Sequence, residues 1–299
     1  MKIKEVAANT FCLETPVPGV GLLLSSYLID IDAGILIEPG PSTALPAIRE
    51  GMEKVGMKTL DWIIPTHIHM DHGGGTGKLA QIYPNAKVIA HPISHKHLID
   101  PDKLIQSTRF TYGEDFESLY GPIVPVPSDQ LMVVEDNETI VIDGHNFTFL
   151  HAPGHAPHHV AVFDHLTRGV FCGEAAGMDT SDPLPAAAAP GFNLTDCLET
   201  MQKLKDLQPE MLFYSHGGMR NNAVARISRA MENTRLYGET IKTCLARNMS
   251  PETISQRIME QASPSIPGEW EEEMIHIWIT GIVEGYSLYL RNNGWIRTN

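Results

Sequence analysis

Thr66-His67-Ile68-His69-Met70-Asp71-His72 places three imidazoles and one carboxylate within six successive positions. Neutral imidazole is the commonest side-chain ligand for zinc and for several other divalent ions, and carboxylates complete such sites. Alternate residues of an extended segment point the same way, so His67 and His69 can grip one ion together. Asp71 and His72 fall on the turn that follows, point elsewhere, and are suited to a second ion. A polar turn with incidental histidines is the plain alternative, and the density of ligating side chains argues against it.

The elements that must present this cluster can be read from the flanking pattern. Leu60 to Pro65 is an apolar strand that ends at the cluster, and Gly73-Gly74-Gly75 permits a tight turn before a helix from Gly77 to Tyr83. Upstream, Ser26 to Asp30 and Gly34 to Glu38 form a hairpin, and a helix from about Ala44 to Val55 carries Leu45, Ile48, Met52 and Val55 on one face. One cluster cannot close the coordination of two ions, so further ligands belong at other strand ends. Three stand there: His155 in Pro153-Gly154-His155 after the strand 146–151, Glu174 after the strand 170–172, and His216 after the strand 211–214. Taken singly, these are a turn histidine, a loop acid and a helix-start histidine. In this order and at these places they form a set.

Those motifs together, His67-x-His69-x-Asp71-His72, Pro153-Gly154-His155, Gly173-Glu174 and His216-Gly217, resemble the successive motifs of the metallo-β-lactamase superfamily, in particular its glyoxalase II and acyl-homoserine lactonase-like branch. The resemblance spans roughly residues 20 to 218. It implies an α/β fold, the αβ/βα sandwich of that superfamily, with a dinuclear metal site on one edge. It also implies that His67, His69 and His155 hold the first ion and that Asp71, His72 and His216 hold the second. Glu174 occupies the bridging position, where the family usually has an aspartate. The stem is one methylene longer, so Glu174 either bridges from a retracted strand end or serves one ion. Glu38 likewise stands in Ile37-Glu38-Pro39-Gly40 where the family commonly has aspartate, and a hydrogen-bonding role beside the metals is expected for it.

The other histidines are expected to be supporting or ordinary residues. His159 is read as a turn residue or a neighbour of the ligands, and His151 and His158 are the nearest competitors of His155. His95 and His97 lie on a helical segment, Ser94 to Asp100, and are expected to be solvated or to line a pocket. His91, His145, His165 and His276 are given no metal role.

The rest of the chain bounds the reading. It has 299 residues, 42% hydrophobic and 19% charged, with a formal net charge of -14, which is the balance of a globular protein with a sizeable core. An acidic chain without a long Lys/Arg run argues against nucleic acid as a partner. Apolar runs such as 21–24 and 28–29 are far shorter than the ~20 residues of a membrane span, so no membrane partner is expected. No secretion signal is read at the start, the four cysteines form no CxxC pair, and the cytoplasm is the expected compartment. Two regions are expected: a metallo-β-lactamase-like domain over 1–220, with an insertion or lid at 92–130, and a C-terminal helical extension over 221–299. The apolar face of that extension, with Trp278, Ile282 and Tyr286, is suited to the chain's own core or to a homodimer partner.

The expected activity is that of a metal-dependent hydrolase using a metal-bound hydroxide to cleave an ester, thioester or lactone of a small-molecule substrate. Two divalent ions are expected, zinc first, with iron or manganese as alternatives, and Asp71 is expected both to bind metal and to orient the nucleophile. A phosphodiesterase with the same dinuclear site, or a low-turnover regulatory protein of the same fold, are the alternatives. Arg109 and Tyr112 are candidates for holding a substrate anion, with a surface ion pair and a packed ring as their plain readings.

Overall fold

Alternation of buried and exposed residues, and fully apolar runs where both faces are covered, define two β-sheets in the computed structural model. Residues 2–16, 23–268, 270 and 272–296 are described, so Gly21 and Leu22 of the first apolar run lie outside the described residues. The first sheet contains β1 (Lys2–Ala7), β2 (Thr10–Pro16), β3 (Leu23–Asp30), β4 (Gly34–Ile37), β5 (Trp62–Ile64), β6 (Lys87–Ala90) and β7 (Leu131–Val133), in that spatial order. Its first half is an antiparallel meander. From β4 onward the pairing is parallel, because helices cross over between the strands.

The second sheet contains β8 (Glu138–Ile142), β9 (His145–His151), β10 (Val160–Asp164), β11 (Gly169–Gly173), β12 (Met211–Tyr214) and β13 (Gly218–Asn221). β10 and β11 form an antiparallel hairpin, with Val162 opposite Phe171. β11 then pairs in parallel with β12. The meander of β1 and β2 was not read from the sequence. β1 mixes charged and apolar residues over only six positions, and β2 has three consecutive apolar residues in seven.

The chain comprises two compact units. The first comprises Met1–His151, His158–Gly173 and Met211–Arg220, and so contains nearly all of both sheets. Between the sheets lies a core of Tyr27, Ile35, Ile37, Ile64 and Ile89 from one side and Phe147, Phe149, Val162, Phe171 and Phe213 from the other. Phe171 stacks on Phe213 with ring centroids 4.2 Å apart, and Tyr27 meets both rings edge-on at 5.3 and 5.4 Å. The Tyr27 hydroxyl crosses the sandwich to donate to the carbonyl of Tyr214 at 2.6 Å.

The other face of the first sheet is covered by α1 (Leu45–Val55) and α3 (Thr76–Ile82), through Ile48, Met52, Leu79 and Ala80. The short α2 (Met70–Gly73) carries part of the histidine cluster. The segment 92–130 contains α4 (Pro92–Ile99), α5 (Asp102–Tyr112) and α6 (Phe116–Tyr120). α5 has no buried residue, and Phe110 at its end is 94% exposed.

The second unit comprises Ala152–Pro157, Glu174–Glu210 and Asn221–Asn299. It contains α7 (Leu194–Asp206), α8 (Ala223–Ala246), α9 (Pro251–Ala262) and α10 (Glu272–Asn292). Ser250 caps α9 by accepting from the backbone N–H of Thr253, with Pro251 in the first turn as the sequence pattern predicts. Ile282 and Tyr286 are fully buried, and the Tyr286 hydroxyl donates to the carbonyl of Thr234 at 2.8 Å, joining α10 to α8. Among the described residues, no helix is long and apolar enough to cross a membrane.

The aromatic contact at the centre of the sandwich has a measurable weight. Phe171→Ala removes a ring that is 1% exposed, and is expected to lower the unfolding free energy by about 3–5 kcal/mol in urea denaturation.

Candidate metal centre

In the first unit the cluster begins two residues beyond β5, where Pro65 ends the strand and Thr66 turns into the loop. The Thr66 hydroxyl donates to Glu38 Oε1. Its oxygen also lies 3.0 Å from His67 Nδ1. A hydroxyl has one proton, so the His67 Nδ1–H must be the donor in the second bond. That leaves the lone pair of His67 on Nε2, which is 3.1 Å from His69 Nδ1.

The same wiring recurs at His72. Its Nδ1–H donates to Glu38 Oε2 at 3.0 Å, and its Nε2 lies 3.2 Å from Asp71 Oδ2. His216 follows β12, and its Nδ1–H donates to the Leu23 carbonyl at 3.2 Å. Asp71, His72 and His216 each offer a ligand atom, all within 4.8 Å of one another. Glu38, His67 and His72 meet the same criterion, but all of Glu38's described contacts are to donors.

Glu38 is 1% exposed and sits at φ 62, in the left-handed region, directly after β4. Oε1 accepts from the hydroxyls of Thr66 and Ser215, the latter at 2.7 Å, while Oε2 accepts from His72. This is the hydrogen-bonding role expected of it. The backbone beside it is laced to the cluster as well: Gly40 N–H donates to the His72 carbonyl at 2.8 Å, and Gly75 N–H to the Gly40 carbonyl at 2.7 Å. The ends of the two sheets are joined in the same region by bonds from Ser25 N–H to the Ser215 carbonyl and from Val160 N–H to the Thr66 carbonyl, both 2.7 Å.

Gly173, the last residue of β11, has φ 55, and a Cβ there would lie 2.5 Å from His159 Nε2 and 2.7 Å from Thr66 Oγ1. Only glycine lets the strand pass so close to these rings. His159 is fully buried and stacks on His67 with centroids 4.9 Å apart, which makes it packing for a cluster residue. His158 stands farther off, at 6.2 Å from His67 and 5.6 Å from His69. His151 is turned away. Its Nε2–H donates to the Val134 carbonyl at 2.8 Å, and its ring lies against His91, whose pKa burial and the neighbouring His151 depress to about 4.

In the second unit, His155 Nδ1–H donates to the Ala186 carbonyl at 3.1 Å, and His155 Nε2 lies 3.0 Å from Glu174 Oε2. The pattern of the first unit is repeated. Like His67 and His72, this ring commits its Nδ1–H to an oxygen and aims Nε2 at another side chain.

Two of these contacts, His72 Nε2 with Asp71 and His155 Nε2 with Glu174, set a nitrogen lone pair against a carboxylate oxygen. Two acceptors at that distance need a proton or a cation between them. The donor set, imidazole nitrogens with fixed tautomers plus carboxylates, is that of a divalent transition-metal site, and the residues present fit such ions.

The segment 92–130 also reaches this region. Tyr112 and Tyr120 meet edge-on at 5.4 Å. Burial, and to a smaller extent the negative charge of Asp71, raise both phenol pKa values, so the hydroxyls stay protonated at neutral pH. Tyr120 was not singled out from the sequence, where nothing marks an aromatic ring fifty residues from Asp71 as its neighbour. Arg109 has the plain reading considered for it: it pairs with Glu117 and lies 4.9 Å over the Phe116 ring.

The sequence profile of the metallo-β-lactamase superfamily matches residues 21–216. The chain belongs to that superfamily. A metallo-β-lactamase fold-containing protein of Sulfurisphaera tokodaii, ST1585, is 29% identical over 163 residues, which are 54% of this chain and 61% of that relative. The chain thus spans about three fifths of the length of that relative. The probable metallo-hydrolase YqjP of Bacillus subtilis is 24% identical over 83% of this chain and 82% of its own length. A hydroxyacylglutathione hydrolase of Serratia proteamaculans is 28% identical over 50% of this chain and 45% of its own. Among solved structures, that of ST1585 superposes with a TM-score of 0.70 at 21% identity, covering 93% of this chain and 98% of the other. A metallo-β-lactamase family protein of Thermus thermophilus gives 0.71 at 18% identity, covering 97% and 95%. The fold is therefore the α/β fold of the superfamily.

The carboxylate of Glu38 is expected to hold the loops of the first unit in place. Glu38→Ala removes the acceptor shared by Thr66, Ser215 and His72, and should lower the stability of metal-free protein by about 2–4 kcal/mol in chemical denaturation.

Proposed function

We propose that the protein is a metal-dependent hydrolase that cleaves an ester, thioester or lactone of a small molecule. The observation that carries this reading is that His67, His72 and His155 each commit one nitrogen to an oxygen and direct the other at a ligand-bearing neighbour. In this reading His67, His69 and His155 serve one ion, Asp71, His72 and His216 the other, and Glu174 supplies the carboxylate at the bridging position. Relatives named as metallo-hydrolases and as a hydroxyacylglutathione hydrolase support the reaction class. Zinc is the metal that best suits three-histidine and histidine–carboxylate sets.

Divalent ions in such a site make water acidic enough to attack near neutral pH and polarise the scissile carbonyl. The chain's residues do the rest. Glu38 holds the His72 ring in one tautomer and orientation, and Thr66 does the same for His67. Asp71 Oδ2, beside His72 Nε2, is placed to accept a hydrogen bond from the attacking water and to orient it. Tyr112 and Tyr120, kept protonated near Asp71, are neutral donors that can steady a substrate oxygen without adding charge. No serine or cysteine nucleophile is required, and the four cysteines are buried and form no disulfide.

Elemental analysis of purified protein is expected to find two divalent ions per chain. Stripping them with a chelator should abolish hydrolysis of an ester, thioester and lactone panel, and zinc should restore it. His69→Ala is expected to lower kcat/KM by at least about a hundredfold, following the usual effect of damaging a metal site. Full activity in stripped protein would overturn the reading. Turnover confined to phosphodiesters would move the assignment to that substrate class.

A further inference from the structure

The second unit contains a route by which its tail helices reach His155. The segment 178–190 leaves the bridge between Met178 and Leu184 and runs through Pro183-Leu184-Pro185-Ala186-Ala187-Ala188. Its first half carries polar side chains, with the Thr180 hydroxyl donating to the Asp182 carbonyl at 2.6 Å, and its second half is proline and alanine after Leu184. α8 supplies further partners. Arg226 donates to the Asp179 carboxylate and, at 2.9 Å, to the Thr180 carbonyl. Arg229 grips both oxygens of Asp182, Nε at 2.7 Å and Nη2 at 2.8 Å. The buried Asn233 donates to the Pro183 carbonyl at 2.7 Å. These residues are spaced i, i+3 and i+7, so they form one stripe along the helix.

α10 approaches the same segment with glycine. A Cβ at Gly285 would lie 3.2 Å from the Ala187 carbonyl carbon and 3.3 Å from Ala188 N, and one at Gly281 would lie 3.7 Å from the Ala187 oxygen. Directly before that contact stands Ala186, whose carbonyl accepts the Nδ1–H of His155. The backbone before His155 is fixed independently: the Thr200 hydroxyl donates to the Pro153 carbonyl at 2.6 Å, and Asn193 N–H donates to the Gly154 carbonyl at 2.8 Å. The main chain is therefore held by α7 and its N-cap, and the ring is aimed by Ala186.

We propose that Arg226, Arg229 and Asn233 of α8 are positioning residues for His155, acting through the 178–190 segment to fix the Ala186 carbonyl and hence the direction of the His155 Nε2 lone pair. The tail then sets the affinity of the site for a divalent ion without touching that ion. This rests on the reading of His155 as a metal ligand. A carbonyl that holds a ligand's second N–H fixes both tautomer and ring angle, and loss of such a partner typically weakens metal binding by about ten- to a hundredfold.

The test uses the full chain, stripped of metal, with zinc affinity measured by competition against a chromogenic chelator. Asn233→Ala and Arg229→Gln are each expected to weaken binding of the tighter zinc about tenfold or more, and Arg229→Lys to recover part of the loss. Arg235→Ala, on the exposed side of α8, should bind as the parent does. Circular dichroism and thermal melting of the stripped proteins identify any variant that has lost its fold, and the half-exposed Arg229 provides a substitution that the helix tolerates. In a His155→Ala background, Asn233→Ala should have no further effect on zinc binding. Parent-like affinity in both folded variants, or an equal loss in the His155→Ala background, would overturn the proposal. A parent that binds no zinc would overturn the metal site itself, and this inference with it.

Discussion

A carboxylate without water is costly, and Glu38 is buried at the junction of three loops. An unpaired carboxylate in such a place would cost several kcal/mol. It is tolerable because Thr66, Ser215 and His72 bring donors from the loop after β5, the loop after β12 and α2. Each loop is thereby held against the others, and each of them carries a histidine of the cluster. The left-handed backbone at Glu38 is part of the same constraint, since it turns the chain into Pro39-Gly40, where Gly40 bonds to His72 and Gly75. The extra methylene relative to the family's usual aspartate is accommodated here by a residue that receives from three sides.

The histidines repeat one local solution in different surroundings. His67 uses a threonine oxygen, His72 a carboxylate, His216 and His155 backbone carbonyls. In every case the committed nitrogen is Nδ1 and the outward one is Nε2. The partners differ in cost. A carbonyl is available wherever a loop can be brought close, whereas a buried carboxylate needs donors of its own. The first unit uses all three kinds of partner, and His155 of the second relies on a backbone carbonyl, as His216 does.

The candidate ligands could be picked out in the sequence because most of them lie in neighbouring residues. His67 to His72 could be read as a cluster, and His155, Glu174 and His216 could be placed at strand ends because the apolar runs before them are unambiguous; β9, β11 and β12 do end there. The hairpin of β3 with β4 and the helix read from about Ala44 to Val55 follow from the same local patterns. The parts that were not legible depend on distant partners. β1 and β2 are short and half-polar, and become strands through pairing with β3. Ser215 is unremarkable beside His216 until Glu38, 177 positions earlier, accepts from it. Tyr120 gains its place from α6, and the role of the alanine-rich loop near 186 is invisible because its contribution is a backbone carbonyl.

The bond from Tyr27 to Tyr214 spans 187 positions, and that from His216 to Leu23 spans 193. A chain leaving the ribosome must therefore complete most of its synthesis before the first sheet meets the strand that closes its core. Until then Tyr27 and Glu38 have a polar group facing an unfinished interior. Such long separations delay closure, because the entropy of a large loop must be overcome before these contacts can form. The nascent first sheet consequently keeps apolar surface uncovered until β12 is made, and the Glu38 carboxylate gains its Ser215 donor no earlier.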